Sequence, residues 1–323
     1  MKLSHILSHT LLRLCVASMC AATLSGCFTG RESTPKITAG DVRKEKVTVT
    51  DEQLFMEDVD RQPLSQWKPG KQFFVTDDKI ALLFGPEAAG ISSLKGKIVT
   101  FASVTDVTSL TGDKVASFTF LTPQGDPLNY RTTHSINDWM NMPAVDIPFT
   151  IEMSVVEQVH DMMLHQPYYI ITSQRYDTAD NARRGRRFVK VIVDNIEPGN
   201  TDYPIRLTLH EDEDRAEDNK ASTESFNLFM SVGSGLSAPR DFSSLFSFTD
   251  PRRRYPLITD AVWSNIINGK VSEGMTRDEC RLALGSPASI DRQPGYSYMR
   301  EIWTYENGIY LMFEDGLLIS FRR

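Results

Sequence analysis

Cysteine is scarce in this chain, with four residues in 323. Cys15, Cys20 and Cys27 lie near the N-terminus, and Cys280 lies alone near the other end. If a signal segment is removed before Cys27 and Cys27 carries lipid, as its surroundings indicate below, no intramolecular disulfide can form. Cys280 lies four residues into a predicted helix, at a position that packs inward, so we interpret it as a core residue rather than a nucleophile.

The sequence also lacks the short motifs of the common enzyme classes, namely Gly-x-Ser-x-Gly, His-Glu-x-x-His, Cys-x-x-Cys and the P-loop. Residues 233–238 fit the dinucleotide pattern Gly-x-Gly-x-x-Ala, but Pro239 follows where that fingerprint needs a helix, so we interpret them as a loop. His160 and His165 are five residues apart, which is poor spacing for one metal ion on one helix face. We therefore predict a non-enzyme with no catalytic residue, no metal and no cofactor.

Positive charge is in the minority, with 35 lysines and arginines against 42 aspartates and glutamates and a net charge of −7. A basic patch is the electrostatic footprint of nucleic-acid binding, so this balance argues against a nucleic-acid partner. The acidic run 210–218 lacks the regular Asp-x-Asp-x-Asp-Gly spacing of a calcium loop. We interpret it as a solvated hairpin loop.

The densest positive cluster is the run Arg-Arg-Gly-Arg-Arg at 183–187. Guanidinium groups pair bidentately with phosphates, so lipid headgroups and lipopolysaccharide phosphates are candidate targets. The alternative is a basic hairpin tip at the start of the next strand. The candidate residues for contact with an anionic headgroup are Arg183, Arg184, Arg186 and Arg187.

Residues 1–26 are predicted to be a lipoprotein signal peptide. Lys2 and Arg13 flank an apolar region without acidic residues, and the region ends in Leu-Ser-Gly before Cys27. This ending resembles a bacterial lipobox, in which the cysteine is acylated, for example with palmitate, and becomes the mature N-terminus. The apolar region is short for a membrane span, so we predict a lipid-anchored chain rather than a spanning one. Residues 27–40 are polar and are predicted to form a tether.

Residues 41–250 are predicted to be mostly β, with a weak internal repeat at an offset of about 88–89 residues for its central pieces. We expect two tandem small β-barrel or sandwich domains, at 41–140 and 141–250, and SH3-like barrels fit the strand count. A short helix is expected to lead into the second copy, since Val155, Val156 and Val159 recur at helical spacing. The matched segments are 72–76 with 167–171, 96–101 with 185–191, and 116–121 with 205–209.

The last segment, 251–323, has the most specific pattern. Thr276 and Glu279 form a capping-box pattern at the start of a helix over 277–284, and Gly285 is placed to end it. A second short helix is indicated by the apolar spacing of residues 262–267. Three alternating strands follow, separated by Asn-Gly and Asp-Gly pairs that are typical of two-residue hairpin turns.

With two-residue turns, Trp303 is predicted to face Met312, which faces Ile319. The two helices can cover only one face of this sheet, so we expect the other to meet another domain or a partner. The predicted faces are Trp303, Tyr305, Tyr310, Met312, Ile319 and Phe321 on one side, and Ile302, Leu311, Phe313 and Leu318 on the other.

Four motifs of this segment together resemble the SmpA/OmlA (BamE-like) lipoprotein domain. They are Gly-Lys-Val-x-x-Gly-Met-Thr-x-x-Glu at 269–279, Leu-Gly-x-Pro at 284–287, Glu-Ile-Trp-x-Tyr at 301–305 and Phe-Glu-Asp-Gly-x-Leu at 313–318. The resemblance implies a two-helix, three-stranded antiparallel-sheet module of the bacterial envelope. Its best-known members are accessory lipoproteins of the machinery that inserts β-barrels into the outer membrane.

The sequence therefore predicts a mainly β protein with an α+β module at its end, anchored to the outer membrane and facing the periplasm. We expect a non-enzymatic scaffold or assembly factor that binds envelope protein partners, with the barrel-assembly machinery as the candidate partner. Large aromatic side chains tend to form docking patches. The candidate partner-binding residues are Trp303, Tyr305, Tyr310 and Phe313.

Two alternatives come from other functional classes. A similar two-helix, open-sheet module occurs in proteinaceous β-lactamase inhibitors, so a ligand-binding or inhibitor lipoprotein is one alternative. The other is a glycan-processing enzyme with an appended β module, which would show paired carboxylates with shifted pKa values in a cleft. A flat aromatic sheet face would favour binding over catalysis.

Overall fold

The fold is that of a computed structural model, whose described residues begin at Val49. The predicted signal peptide, Cys27 and the tether lie outside the described residues, as do 213–218 of the acidic run and 234–237 of the glycine-containing loop. Among the described residues, none of the helices combines the length and the hydropathy that a membrane span requires. The described residues are 49–85, 93–212, 224–233, 238–295 and 299–322.

Across these residues the fold is mainly β, with three antiparallel sheets and six α-helices. This confirms the mainly β prediction with added helices. None of the three sheets closes into a barrel within the described strands. Each sheet has its own hydrophobic cluster of buried side chains.

The first sheet has the strand order β4-β3-β2-β1-β5. Alternate residues of its long strands point inward, and several of these residues are aromatic. The Trp67 ring lies 5.0 Å from Phe73 and 5.1 Å from Phe101, and its indole N–H donates to the Gln62 carbonyl at 3.0 Å. The elements are α1 (Asp51–Leu54), β1 (Gln72–Val75), β2 (Ile98–Thr108), β3 (Lys114–Leu121), β4 (Pro127–Arg131), α2 (Ile136–Met140) and β5 (Thr150–Glu152).

The second sheet has seven strands in the order β12-β6-β9-β10-β11-β7-β8. The helix that precedes it buries the predicted apolar positions Val155, Val156 and Val159, together with Met163, which confirms the helical spacing read from the sequence. The elements are α3 (Met153–Met163), β6 (Pro167–Ile170), β7 (Gln174–Tyr176), β8 (Ala182–Arg184), β9 (Val189–Pro198), β10 (Ile205–Glu211), β11 (Phe226–Met230), α4 (Phe242–Leu245) and β12 (Phe246–Ser247).

Short segments from each side of the predicted boundary between the first two domains pack with the sheet on the other side. Met56 and Val59 precede the first sheet but lie in the hydrophobic cluster of the second. Conversely, β5 follows residue 141 but pairs with β1 of the first sheet, where Ile151 lies opposite Phe74. The two cores therefore exchange short segments at their junction.

The C-terminal module contains the two predicted helices. Thr276 Oγ1 accepts the Glu279 N–H at 3.3 Å, and the Glu279 carboxylate accepts the Thr276 N–H at 2.7 Å, so the capping box is present. Gly285 ends the helix with a φ of 87°. The sheet has four strands rather than the three expected, in sequential order. The elements are α5 (Asp260–Ile267), α6 (Arg277–Leu284), β13 (Ser289–Pro294), β14 (Met299–Thr304), β15 (Tyr310–Glu314) and β16 (Leu317–Arg322).

The added strand, β13, pairs along its whole length with β14. All six of its residues are exposed. Period-two alternation of apolar residues is the main sequence signal of a half-buried strand, and Ser-Ile-Asp-Arg-Gln-Pro does not show it. The strand was therefore missed because its pairing rests on backbone hydrogen bonds rather than on a buried face.

The predicted register of the first hairpin in this sheet is wrong by one residue. The Tyr305 N–H donates to the Ile309 carbonyl at 2.9 Å, which leaves a three-residue loop that ends at Gly308 with a φ of 81°. Such loops use a glycine in the left-handed region. Trp303 consequently lies opposite Leu311 rather than Met312. The Asp-Gly turn that follows has two residues, as predicted, since Glu314 pairs with Leu317.

A buried ion pair lies where the first sheet meets α3. Lys71 Nζ is 2.5 Å from Glu152 Oε1 and 2.6 Å from Gln62 Oε1. The two charged side chains are only 7% and 2% exposed. Lys71 directly precedes β1, and Glu152 ends β5 just before α3, so the pair fixes the start of α3 relative to the first sheet.

Replacing Lys71 by Met should destabilise the fold strongly, because Glu152 would keep a buried charge without its partner. We expect a loss of about 3–5 kcal/mol in the free energy of unfolding, measured by urea denaturation. The matched control is Lys79→Met, since Lys79 is 67% exposed and its ion pair with Asp77 is open to solvent. That change should cost less than about 1 kcal/mol. Equal losses in the two variants would contradict this assignment.

Candidate functional site

Three of the four predicted partner-binding residues lie in the core of the C-terminal module. Trp303 and Phe313 are 0% exposed and their rings are 4.6 Å apart, and Tyr305 is 7% exposed. The reason is the three-residue loop, which brings Trp303 onto the same face as Leu311 and Phe313, against α5 and α6. These three side chains have no surface to offer a partner and are reassigned to the core.

The polar atoms of these aromatic side chains are satisfied inside the module. The Trp303 indole N–H donates to Glu301 Oε2 at 3.2 Å, and Glu301 is also ion-paired with Arg277 at 2.5 Å. Burial alone would raise the pKa of Glu301, but the bond from Trp303 and the nearby charge of Arg277 hold that pKa below its ordinary value. The Tyr305 hydroxyl donates to the Gly285 carbonyl at 3.2 Å, and desolvation raises the pKa of Tyr305 to about 12.

The opposite face of the sheet carries a different apolar set, which we call the outer-face patch. Ile302 lies directly opposite Met312, and the register places Tyr310 and Leu317 on the same side of the sheet. None of the four belongs to the cluster beneath α5 and α6. Leu317 is 49% exposed, and the other three are half-buried. Tyr310 is thus the one predicted partner-binding residue that lies on this face.

The patch is bordered by charged side chains. Arg300 and Glu314 form an ion pair of 2.7 Å across β14 and β15, and Arg322 lies opposite Tyr310 on β16. A bulge between Met312 and Phe313 puts Ile319 out of the regular alternation. With a three-residue loop instead of the expected two-residue turn, the alternation of side chains along the strands would have placed Ile302, Met312 and Leu317 on the outer face. The Asn-Gly pair alone does not distinguish a two-residue turn from a three-residue one.

Arg187, predicted as a contact for an anionic headgroup, joins the second sheet to the C-terminal module. Its Nε donates to the Ile171 carbonyl at 2.9 Å and its Nη1 to the Leu282 carbonyl at 3.0 Å. Its backbone N–H donates to the Ile267 carbonyl at 3.0 Å. The next residue, Phe188, stacks on Trp263 with the rings 5.6 Å apart. Burial lowers the pKa of Arg187. We call Arg187 and Phe188 the module clamp.

The other three arginines of this cluster lie on or beside the β7–β8 hairpin. Arg183 pairs with Asp177 at 3.0 Å, and Arg186 pairs with Glu211 at 2.9 Å. Arg184 is exposed on strand β8. Carboxylates therefore already neutralise part of the positive charge that the sequence suggested, and contact with an anionic headgroup stays a prediction for these three residues.

Within the described residues, no group of three or more His, Cys, Asp or Glu side chains could hold a metal ion. Several carboxyl groups have shifted pKa values, and all of these shifts are downward. A glycan-processing acid would need a shift in the opposite direction. The carboxyl groups concerned are Glu52, Asp78, Asp138, Asp177 and Glu301.

No protein-family model, no curated protein and no solved structure matches this chain. The resemblance of residues 251–323 to the SmpA/OmlA family therefore stays a prediction that rests on the four motifs quoted above. The geometry of the module is the observation that bears on its function. Its two apolar sets differ, since the one with Trp303 and Phe313 forms the core and the mainly aliphatic one lies on the outer face.

The distinction between core and outer face predicts different mutational costs. Trp303→Ala should lower the free energy of unfolding by about 3–5 kcal/mol, because it removes a fully buried indole and leaves a cavity. Tyr310→Ala, on the outer face, should cost less than about 1 kcal/mol. Thermal or urea denaturation of the two variants measures the difference. Similar costs would show that the register described here is incorrect.

Cys280 is completely buried and lies in the cluster around Trp303. Desolvation, with a further contribution from the charge of Glu279, raises the pKa of its thiol to about 12. The thiolate is the reactive form, so alkylation of folded protein by iodoacetamide at pH 8.5 should be slower than that of urea-unfolded protein by a factor on the order of 100 or more. Mass spectrometry of the peptide that contains Cys280 measures both rates. Equal rates would indicate an accessible thiol.

Proposed function

We propose that this chain is a lipid-anchored protein of the bacterial envelope that acts as a non-enzymatic scaffold at the outer membrane. Acylation at Cys27 would hold it there, facing the periplasm. Its C-terminal module, residues 251–323, would bind a protein of the β-barrel-assembly machinery through the outer-face patch. The observation that supports this best is a row of aliphatic side chains on the face of the sheet opposite its two helices.

The patch has the composition of an interface core with a polar rim. Ile302 and Met312 are neighbours across two strands, and Leu317 lies on the same side of the next strand. These aliphatic groups therefore form one surface, in which Leu317 is 49% exposed. Charged side chains surround them, including the ion pair between Arg300 and Glu314. Protein interfaces commonly combine an apolar centre that lacks charge with a charged, solvent-accessible edge. Contiguous apolar surface of this kind marks interaction sites more often than scattered residues do.

We further propose that residues 41–140 and 141–250 are two related β modules of the SH3-like type. The strand orders support this. In the first sheet the order is β5-β1-β2-β3-β4, with β5 supplied from beyond residue 140, and in the second β12-β6-β9-β10-β11 occupies equivalent positions. The matched segments 72–76 and 167–171 supply β1 and β6, and each pairs antiparallel with a long strand that follows it. The second module differs by the inserted β7–β8 hairpin.

In-cell photo-crosslinking tests the scaffold function. A photoreactive amino acid placed at Tyr310 should capture a barrel-assembly protein in the native membrane, identified by mass spectrometry. Met312→Asp should abolish the capture, because it places a charge at the centre of an apolar contact. The same probe placed at Leu110 provides a matched control, since Leu110 is fully exposed at the tip of the β2–β3 hairpin.

Cys27→Ser should release the protein from the membrane fraction, and the probe at Tyr310 should then no longer capture the barrel-assembly protein. Capture that is equally efficient from Tyr310 and Leu110 would overturn the proposal, and so would capture that survives Met312→Asp in a folded protein. Circular dichroism of each variant establishes that it is folded. Met312 is only partly buried, so we expect that substitution to leave the fold intact.

A further inference from the structure

A cleft of about 640 Å³ lies at the junction of α1, the second sheet and the C-terminal module. Its size falls within the range of small-molecule sites in proteins. The module clamp forms part of one wall, and Tyr255 and Gly285 form part of another. None of the outer-face patch residues lines it, so the cleft is a separate surface.

Hydroxyl groups dominate the polar lining of this cleft. Within the described residues, the hydroxyls of Ser173 and Tyr255 make no hydrogen bond to a protein group and are available to a ligand. The rings of Phe188 and Tyr255 add apolar surface. Saccharides are recognised by this combination of side-chain hydroxyls and aromatic rings, because they present hydroxyl edges and apolar faces. The hydroxyl-bearing residues of the lining are Thr50, Thr172, Ser173, Ser243, Ser244, Ser247 and Tyr255.

Two guanidinium groups line the same cleft. Arg187 is held by carbonyls at Nε and Nη1, and its Nη2 makes no bond to any other described residue. Arg254 makes no side-chain ion pair or hydrogen bond within the described part of the chain. The fixed position of Arg187 reduces the entropy that binding would cost. Guanidinium groups are well suited to phosphate and carboxylate oxygens.

Among the described residues that line the cleft, Glu52 is the one carboxylate, and it is already occupied by protein donors. It accepts the Ser247 hydroxyl and the Phe248 N–H, both at 3.3 Å. Although burial opposes its ionisation, these and other hydrogen bonds lower the pKa of Glu52. Its negative charge is therefore partly compensated at the wall, and the two arginines leave the cleft with a net positive charge.

We propose that this cleft binds an acidic saccharide, with its phosphate or carboxylate group on Arg187 and Arg254 and its hydroxyls on the serine and tyrosine side chains. The proposal is independent of the scaffold function, because it uses different residues on a different surface. It assigns a ligand-binding role to the junction that the module clamp holds together.

Isothermal titration calorimetry of the full chain with glucose 1-phosphate tests this proposal. We expect a Kd below about 1 mM. Arg254→Gln should weaken binding by a factor of about 10, since one charge-assisted contact is lost. Arg253→Gln is the matched control, because Arg253 is the exposed neighbouring arginine and does not line the cleft. Arg254 has no partner in the described structure, so its loss should leave the fold intact.

Glucose and inorganic phosphate are titrated separately, and each should bind at least 10-fold more weakly than the sugar phosphate if both parts of the ligand are recognised. Equal binding of inorganic phosphate would overturn the saccharide assignment. The proposal would also fail if glucose 1-phosphate did not bind, or if Arg253→Gln and Arg254→Gln weakened binding equally. Binding to phosphatidylcholine vesicles that contain diphosphoryl lipid A, lost in Arg254→Gln, would support a lipid-borne source of the saccharide over a soluble one.

Discussion

The module clamp is the interaction on which the arrangement of the C-terminal half depends. Arg187 bonds to carbonyls of Ile171, Leu282 and Ile267, so one residue joins the second sheet to both helices of the C-terminal module. Phe188 has a φ of 56° and stacks on Trp263. A left-handed conformation at a bulky residue is costly, and it persists only where surrounding contacts hold it. Here those contacts are the stack and the hydrogen bonds of Arg187.

With the module held in this way, its core face, its outer face and the cleft at the junction are three separate surfaces. The face of the sheet with Trp303 and Phe313 is buried against α5 and α6. The outer face stays open and carries the patch that we propose as the docking surface. The junction itself encloses the cleft, with Arg187 in its wall. A residue that the charge pattern suggested for headgroup contact thus becomes a structural link that also lines the cleft.

Much of the fold could be predicted because its signals are local. The capping box at Thr276, the glycine end of α6, the apolar spacing of α3 and the Asp-Gly turn each depend on a few neighbouring residues, and all are present. The partner-binding residues could not be assigned in the same way. One extra residue in the loop ending at Gly308 moves the side chains of β15 to the other face relative to Trp303, because side chains alternate along a strand. Edge strand β13 was missed because it has no buried face.

By itself, the sequence determined the mainly β class, the presence of the two C-terminal helices, both ends of α6, and the periodicity of α3. These features follow from propensity and spacing within a few residues. Tertiary structure decided which aromatic side chains are buried, that the Arg187 side chain donates to two backbone carbonyls, and that Lys71 meets Glu152 across 81 positions of the chain. Such contacts join residues that are distant in sequence, and their energies depend on burial and geometry, which exist only once the chain is folded.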